Sequence, residues 1–519
     1  MPPWFLVPCI LRHLYSFESL RKAKVCLKNS LRWLEQSISY GTIRKSRYWR
    51  KRMDRKDETL DWIQDNRSEF IEMAEAIWRD PEVSYQEERS SHLQKFYCKD
   101  SGFRVRELDA IQRYAFIAEA GKGKPIIGLL GEFDALPGLS QKLSPQQDPL
   151  VPGGPGHGCG HNLLGTASLA AAAAIKRVIE KGLLKGTVRY YGCPAEEQLG
   201  KPVLARGGVF SDLDVALCWH PADINTVAAY STNASIELTF RFTGIPAHAA
   251  QVPHLGRSAL DALTLTGIGV EFLREHMSPT DRVHYIYTSG GERPNIVPAQ
   301  ATGAFQVRSP RMKDLLPLLK RVIDIAKGAA LMTGTEVSYH ALQGCYDVLP
   351  NSVLSDLLYK NMEAVPLPEY SAKEVEFARS LSSTLTEDQK RNTLLGLGLD
   401  ARTADLLLSQ PIHREIGYWG KGWTIPASTD VGDVSHLVPT AQINTATYPL
   451  GIGSHTWQAT ASSGSSIGMK GMLYAAQVLA GTTWDLLEQP VWIEKAREEF
   501  NRTVGGEIYI SALDLLQSL

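Results

Sequence analysis

Residues 156–174 read GHGCGHNLLGTASLAAAAA, which places His157, Cys159 and His161 within five positions at the mouth of a strongly apolar stretch. That crowding limits what the chain can become. A disulfide needs a second cysteine close by, and the next along is Cys193. A nucleophilic cysteine needs one base, not two flanking histidines. A metal site needs several donors converging from distant parts of the chain, so the question passes to the other segments. The stretch itself predicts a helix over roughly 162–182 with Gly182 as its stop. Its alanines 170–174 suit a helix packed closely against a sheet.

The segments around it alternate. TLDWIQDNRSEFIEMAEAIWRD predicts a helix ended by Pro81, and a second helix follows near 87–101. KPIIGLLGEFDALPG reads as a buried strand over 125–131 whose turn carries Glu132 and Asp134. GTVRYYGCPAEE is a strand ending at Gly192, and LDVALCWHP another ending near Trp219. Strands alternating with helices imply an α/β layer structure. Residues 235–342 differ: SIELTFRFT alternates strictly, a helix starts near 257, and VHYIYT, ATGAFQVR, a helix at 312–332 and EVSYH follow. That order, β-α-β-β-α-β, is the split βαβ of a small α+β sandwich. We therefore expect an α/β catalytic domain with a mixed sheet flanked by helices, formed by residues 54–232 and 347–519. An α+β domain over 233–346 is inserted into it. A polar helical insertion is expected near 368–425, and the closing helix at 466–480.

Composition narrows the functional classes. The formal net charge of −1 indicates neither nucleic acid nor a membrane surface as partner. Residues 1–53 hold twelve Lys/Arg against two Asp/Glu, a basic leader expected to lie outside the fold. Its apolar part is too short to span a bilayer. It fits sequence upstream of a start at Met53, or an organellar transit peptide. Seven scattered cysteines point to a reducing compartment and hence to the cytoplasm.

Donors now gather at the ends of expected strands: Cys159 and His161, the pair Glu196–Glu197, His220 and, much later, His455. In an open α/β sheet that crevice is where ligands bind. Thiolate, imidazole and carboxylate together suit zinc and tolerate manganese. Five donors exceed the needs of one tetrahedral ion with an open position, which points to two. One of the adjacent glutamates can bind metal while the other moves a proton. Asp134, beside the site, can orient a ligand histidine. Each piece alone has a plainer reading: C-x-H by chance, a solvated Glu pair, a strand-end histidine.

The stretches GEFDALPGLS, GHGCGHNLLGTA, YGCPAEE, WHP, GIPAHAAQVPHLGRSALDA, PNIVPAQ, ASTDVGDVS and SHTWQ, in this order over about residues 60–480, resemble the M20 metallopeptidase/amidohydrolase family. Within it the resemblance is to the aminoacylase-like subfamily. It implies a di-metal catalytic domain and an inserted lid domain that also forms a dimer. Carried onto this chain, Cys159, His161, Glu197, His220 and His455 are the metal ligands of two Zn²⁺ or Mn²⁺ ions, and Glu196 is the general base. His248, in PAHAA of the lid, resembles the family histidine that reaches a neighbouring active site. Asn295 and Arg308 lie in lid stretches that resemble substrate-contacting segments. Where many subfamily members read C-G-H-D-x-H, this chain has Asn162 and Leu164.

The expected activity is hydrolysis of the amide of an N-acyl or N-aroyl amino acid, p-aminobenzoyl-glutamate first, with His248 stabilising the oxyanion. The expected assembly is a homodimer through the lid, or a heteromer with a related subunit. The strand before His248, with an alternating face and an open edge, is the expected pairing element. Three rivals remain: a dipeptidase or another N-acyl amino acid hydrolase on the same scaffold, a non-catalytic subunit that binds amides or stabilises a partner, and a cysteine hydrolase built on Cys159. A degenerate subunit would lose Glu196 or a ligand, and a cysteine hydrolase leaves Glu197, His220 and His455 unexplained.

Overall fold

The computed structural model describes residues 55–515, so the basic leader at 1–53 lies outside the described residues. The chain divides into two units, Met1–Thr59 and Leu60–Leu519; the second carries the whole site.

A seven-stranded mixed sheet forms the centre of this unit. Its strands run in the order Arg104–Glu107, Phe116–Lys122, Gly186–Gly192, Ile126–Gly131, Val215–Ala222, Thr440–Ala446 and Thr226–Val227. The four from Gly186–Gly192 to Thr440–Ala446 are parallel, and antiparallel strands close both sides. Helices His161–Glu180 and Ser466–Glu488 share a core with one face. The short helices Lys201–Arg206 and Val431–Ser435 pack on another cluster around Leu130, Tyr191 and Ala216. With both faces covered, parallel strands must be apolar throughout. Ile127, Leu129, Val188, Leu217 and Ile443 are accordingly fully buried. Each contributes about 1.5–3 kcal/mol by leaving water.

Helix His161–Glu180 is apolar and long enough to cross a membrane, yet it is spent on this core. Its approach to the sheet is set by Gly165, whose amide donates to the Glu132 carbonyl at 3.0 Å. A Cβ there would lie 2.5 Å from that carbonyl oxygen. Ser168 Oγ donates to the Leu130 carbonyl and Trp219 Nε1 to the Leu164 carbonyl. The helix N-terminus is thereby locked beside the ends of two strands.

Residues 234–345 form a second lobe with its own core. Four antiparallel strands lie in the order Glu336–Cys345, Ala234–Thr243, Gln300–Ser309, Arg282–Ser289. Helices Ala259–Leu273 and Met312–Thr333 share their core. The alternation of SIELTFRFT is realised: Ile236, Leu238, Phe240 and Phe242 are all buried. The edge, however, is not where the sequence suggested. Strand Ala234–Thr243 is paired on both sides, because the split βαβ topology puts the first strand inside the sheet. The free edges belong to Arg282–Ser289 and Glu336–Cys345.

Other departures are local. The first expected helix breaks at Asn66, whose side chain folds back to the Trp62 carbonyl at 2.7 Å. Strand Val215–Ala222 runs past Trp219, so His220 lies within it. The insertion is helical, with Ala372–Ser382, Glu387–Gly396 and Ala401–Leu407. The first two carry capping boxes from Ser371 and Thr386. These helices brace the segment that leads to His455: Leu394 and Leu407 pack with Ile224 and Leu450, and Leu381 with Tyr448 and Ile452.

Candidate metal centre

All but two of the donors leave the carboxyl end of a parallel strand or the loop that follows it. Glu132 and Asp134 follow Ile126–Gly131, Glu196 and Glu197 follow Gly186–Gly192, and His220 sits near the end of Val215–Ala222. His455 lies nine residues beyond Thr440–Ala446. Cys159 and His161 arrive on the helix mouth and are separated by Gly160, in the left-handed region at φ +73°. A Cβ on Gly160 would meet Pro221 and the Tyr448 hydroxyl below 3 Å. Only glycine therefore lets both side chains turn into the same crevice.

Two triads share Cys159. One is Cys159, His161 and His220; the other is Cys159, Glu197 and His455, with donor atoms within 4.8 Å of one another in each. Cys159 Sγ lies 3.4 Å from His220 Nε2, and His455 Nε2 lies 3.4 Å from Glu197 Oε2. The ring nitrogens that face away are occupied. His220 Nδ1 donates to the Pro221 carbonyl at 2.6 Å, and His161 Nδ1 donates to Asp134 Oδ1 at 2.8 Å. Both rings thus present Nε2 to the crevice, the arrangement a metal-ligating histidine needs. Asp134 is itself fixed, since its Oδ2 accepts the Ser84 hydroxyl at 2.8 Å and the Glu197 amide at 3.0 Å. Burial alone would raise the Asp134 carboxyl, but His161 and these donors outweigh it and hold it down at about 2.

The loop bearing the glutamates is held under strain. Ala195 sits at φ +61°, and its amide donates to buried Glu87 at 2.6 Å. Burial and nearby Asp134 push the Glu87 carboxyl up to about 8. Glu196 accepts the Thr429 hydroxyl at 3.1 Å. Burial, then Glu132, Asp430 and Glu197, push its carboxyl well above the usual range.

Whether a cation suits this crevice can be judged from its unsatisfied atoms. Among the described residues, His161 Nε2, Glu132 Oε2 and Glu197 Oε1 are buried with no hydrogen-bond partner. Three such orphans in one place are expensive unless something fills the gap. All three are lone-pair donors. Burial opposes a charge on His161, but Cys159 and Asp134 outweigh it and raise the ring's proton affinity well above normal. Burial holds His220 down at about 4, as a neutral ring. Surroundings that favour a proton on His161 Nε2 favour a divalent cation there equally. The donor set fits.

The other expected residues divide. Cys159, His161, Glu196, Glu197, His220, His455 and Asp134 are brought together. His248 and Asn295 are exposed on the lobe, and neither makes a hydrogen bond or ion pair with the cluster. His248 Nδ1 accepts the amides of Ala250 and Gln251, and the Asn295 carbonyl accepts the Ala249 amide. Arg308 lies between: its guanidinium reaches Gln306 at 3.1 Å and Ser428 at 3.4 Å, next to the Thr429 that binds Glu196. His157, a third donor by sequence, turns away to the Ile77 carbonyl at 3.1 Å. Asn162 bonds the carbonyls of Ala74 and Ser463, both at 3.2 Å. A carboxylate could not donate to either, so an amide suits this position.

A floor of acids, imidazoles and a thiol at the ends of parallel strands is that of a metal-dependent hydrolase. Residues 128–407 match the peptidase family M20/M25/M40, and the chain belongs to that family: it is an M20 amidohydrolase, an enzyme acting on amide bonds. It is 40% identical over 459 residues to a p-aminobenzoyl-glutamate hydrolase subunit of Escherichia coli, covering 86% of this chain and 95% of the relative. It is 31% identical over 448 residues to the Xaa-Arg dipeptidase of Mus musculus, covering 82% and 88%. Among solved structures, the aminobenzoyl-glutamate utilization protein of Klebsiella pneumoniae matches with a TM-score of 0.55 at 15% identity, covering 83% of this chain and 99% of that one. The Bacillus subtilis YXEP protein, a dinuclear metal binding peptidase from the M20 family, matches at 0.53 and 16%, covering 82% and 99%. At these identities the likeness is one of fold.

Proposed function

We propose that the chain hydrolyses the amide of an N-acyl or N-aroyl amino acid, with p-aminobenzoyl-glutamate as the first substrate to test, and that it holds two divalent ions, Zn²⁺ or Mn²⁺. The observation that carries the reading is the pair of triads sharing Cys159. In this reading His161 and His220 would hold one ion and Glu197 and His455 the other, with Cys159 within reach of both. When bound, such ions supply Lewis acidity and lower the pKa of water.

The chain's own groups do the rest. Glu196, whose carboxyl is held high by burial and neighbouring acids, takes a proton from the attacking water and returns it to the leaving amine. Thr429 holds Oε1 of that carboxylate, which leaves Oε2 for the proton. Asp134 keeps the His161 ring from rotating. Arg308, half-buried near the same loop, clamps the free carboxylate of the amino-acid half, a role suited to a planar guanidinium, and Asn295 joins it.

His248 acts on the active site of a second copy, as its exposed position supports. The edge strand Arg282–Ser289 leaves Ile286 and Tyr287 in water, and helix Ala259–Leu273 leaves Ile268 and Phe272 there as well. An open strand edge with apolar neighbours suits pairing across a two-fold axis. The Escherichia coli relative is named as one subunit of its hydrolase, which makes a heteromer the alternative assembly.

The test is an amine-release assay on metal-loaded protein with N-acyl amino acids, p-aminobenzoyl-glutamate, its α-amide and Xaa-Arg dipeptides. The last are included because of the dipeptidase relative. We expect p-aminobenzoyl-glutamate to be cleaved faster than its α-amide, with activity lost on chelation and restored by Zn²⁺ or Mn²⁺. Equal rates on acid and amide would remove the carboxylate clamp, and full activity in metal-free protein would remove the metal chemistry.

A further inference from the structure

One buried polar cluster next to the crevice has no part in the chemistry above. Lys201, fully buried, places its ammonium against Glu132 Oε1 and 2.6 Å from Asp430 Oδ1. Its amide donates to Asp430 Oδ2 at 2.9 Å. Two carboxylates share a single ammonium away from water, an arrangement that leaves an excess negative charge and costs desolvation energy unless something further is gained. Asp430 is fully engaged by Lys201. Glu132 is not: it is 3% exposed, its Oε1 is taken by Lys201, and its Oε2 has no hydrogen-bond partner. That free oxygen lies 3.4 Å from His161 Nε2, which is also unpartnered, and Glu196 Oε2 lies 3.8 Å from the same nitrogen. Glu132, His161 and Glu196 form a third group of donors within 4.8 Å of one another.

We propose that Glu132 is a further metal donor, binding through Oε2 the ion held by His161, and that Lys201 is its positioning residue. By occupying Oε1, the ammonium fixes the carboxylate plane and turns the other oxygen toward the crevice. Asp430 anchors the ammonium in turn, so the orientation of a donor on one strand end is set by residues far along the chain. The excess negative charge then has a purpose, because it is neutralised when the cation enters. The proposal rests on the two-ion reading and adds a carboxylate to the side that otherwise holds only imidazole and thiolate.

Cobalt(II) titration of the full chain tests it, read by bound equivalents and by the visible ligand-field spectrum, which reports coordination directly. In Glu132→Gln, one equivalent should bind at least ~10-fold more weakly and its spectrum should change, while the other equivalent stays as in the parent. Glu132→Asp keeps the charge but draws both carboxylate oxygens back from the crevice. Ligation predicts an altered spectrum there too, whereas a mere charge effect predicts the parental one. Thermal melting of the metal-free proteins shows whether each variant is folded, and if Glu132→Gln is not, Glu132→Asp decides by the same criterion. A parent that binds no cobalt overturns this proposal together with the two-ion reading. A parent that binds two equivalents, with unchanged spectra in the folded variants, overturns this proposal alone.

Discussion

His161 and His248 both stand in short motifs of small residues, and they are held in opposite ways. His161 is fully buried, its Nδ1 bonded to an aspartate whose other oxygen is fixed by a hydroxyl and a backbone amide. His248 is exposed, and its ring is anchored only to amides two and three residues further along its own loop. The first is fixed before anything binds. The second is left for something else to orient. In the reading proposed above the difference separates two tasks: the strand ends need fixed donors, because a cation tolerates little error in position, whereas a group proposed to meet the substrate from a second copy must be free to arrive. His455 falls between them, with its side chain 56% exposed and its backbone at φ +64°, tied by its amide to the Gly158 carbonyl.

The largest effect should come from Glu196→Gln, which removes the proton acceptor without removing a metal donor of either triad. We expect kcat to fall at least ~10²-fold with bound metal and melting temperature retained; turnover near the parental rate would move the proton to another group. On the lobe side, His248→Ala should lower kcat by about 10²-fold, the scale of a lost oxyanion donor, with metal content unchanged. Mixing His248→Ala chains with Glu196→Gln chains then sharpens the contrast. If the histidine serves a second copy, each mixed pair holds one intact site, and activity returns toward half the parental value. Subunit exchange confirmed by mass with no recovery would confine His248 to its own chain.

Asp134→Asn probes the fixed side more gently. The ring orientation of His161 loses its charged partner, and metal affinity should weaken by about 10–100-fold, measured by competition with a chelator. An unchanged affinity would mean that packing alone holds the ring.

The smallest effect concerns Asp223, three residues past His220, whose carboxylate accepts the Gly451 amide at 2.9 Å and so ties the strand end to the segment leading to His455. Burial pushes its carboxyl up to about 7. Between roughly pH 4, where an unfolded aspartate titrates, and pH 7, the folded chain retains a proton that the unfolded chain has released. Stability from this group therefore falls as pH rises through that window. Asn keeps the acceptor and removes the penalty, so Asp223→Asn should melt as the parent does at pH 4 and roughly 2–4 °C higher at pH 8. A parallel shift at both pH values would disprove the assignment.

The convergence of the candidate donors was legible because they sit in short local motifs near strand ends, where sequence pattern and strand register agree. What escaped were relations between distant residues. Lys201 belongs to no motif, and only the fold brings it to Glu132 and Asp430, 69 and 229 positions away. Glu87, which holds the Ala195 turn, carried no pattern at all. His157 looked equivalent to His161 until Gly160 set the helix mouth and the Ile77 carbonyl claimed its ring. Strand Thr440–Ala446, TAQINTA, has the composition of a loop, and its burial comes from neighbours on both sides. The free edge of the lobe lies elsewhere than the alternation suggests, because periodicity shows which face of a strand is buried and says nothing of which strands flank it.

That late strand has a consequence for how the chain is made. Thr440–Ala446 fills the place between Val215–Ala222 and Thr226–Val227, and is synthesised more than two hundred residues after both. Until it arrives, a nascent chain is expected to carry VALCWHPA as an open parallel edge, apolar along most of its length. Such an edge is a template for pairing with other chains. Translation that stalls or terminates within the helical insertion, residues 372–407, would leave this edge bare and His455 unmade, so a truncated product should aggregate as well as lack the complete donor set. Chaperone demand should therefore concentrate on the interval of synthesis between residues 222 and 446.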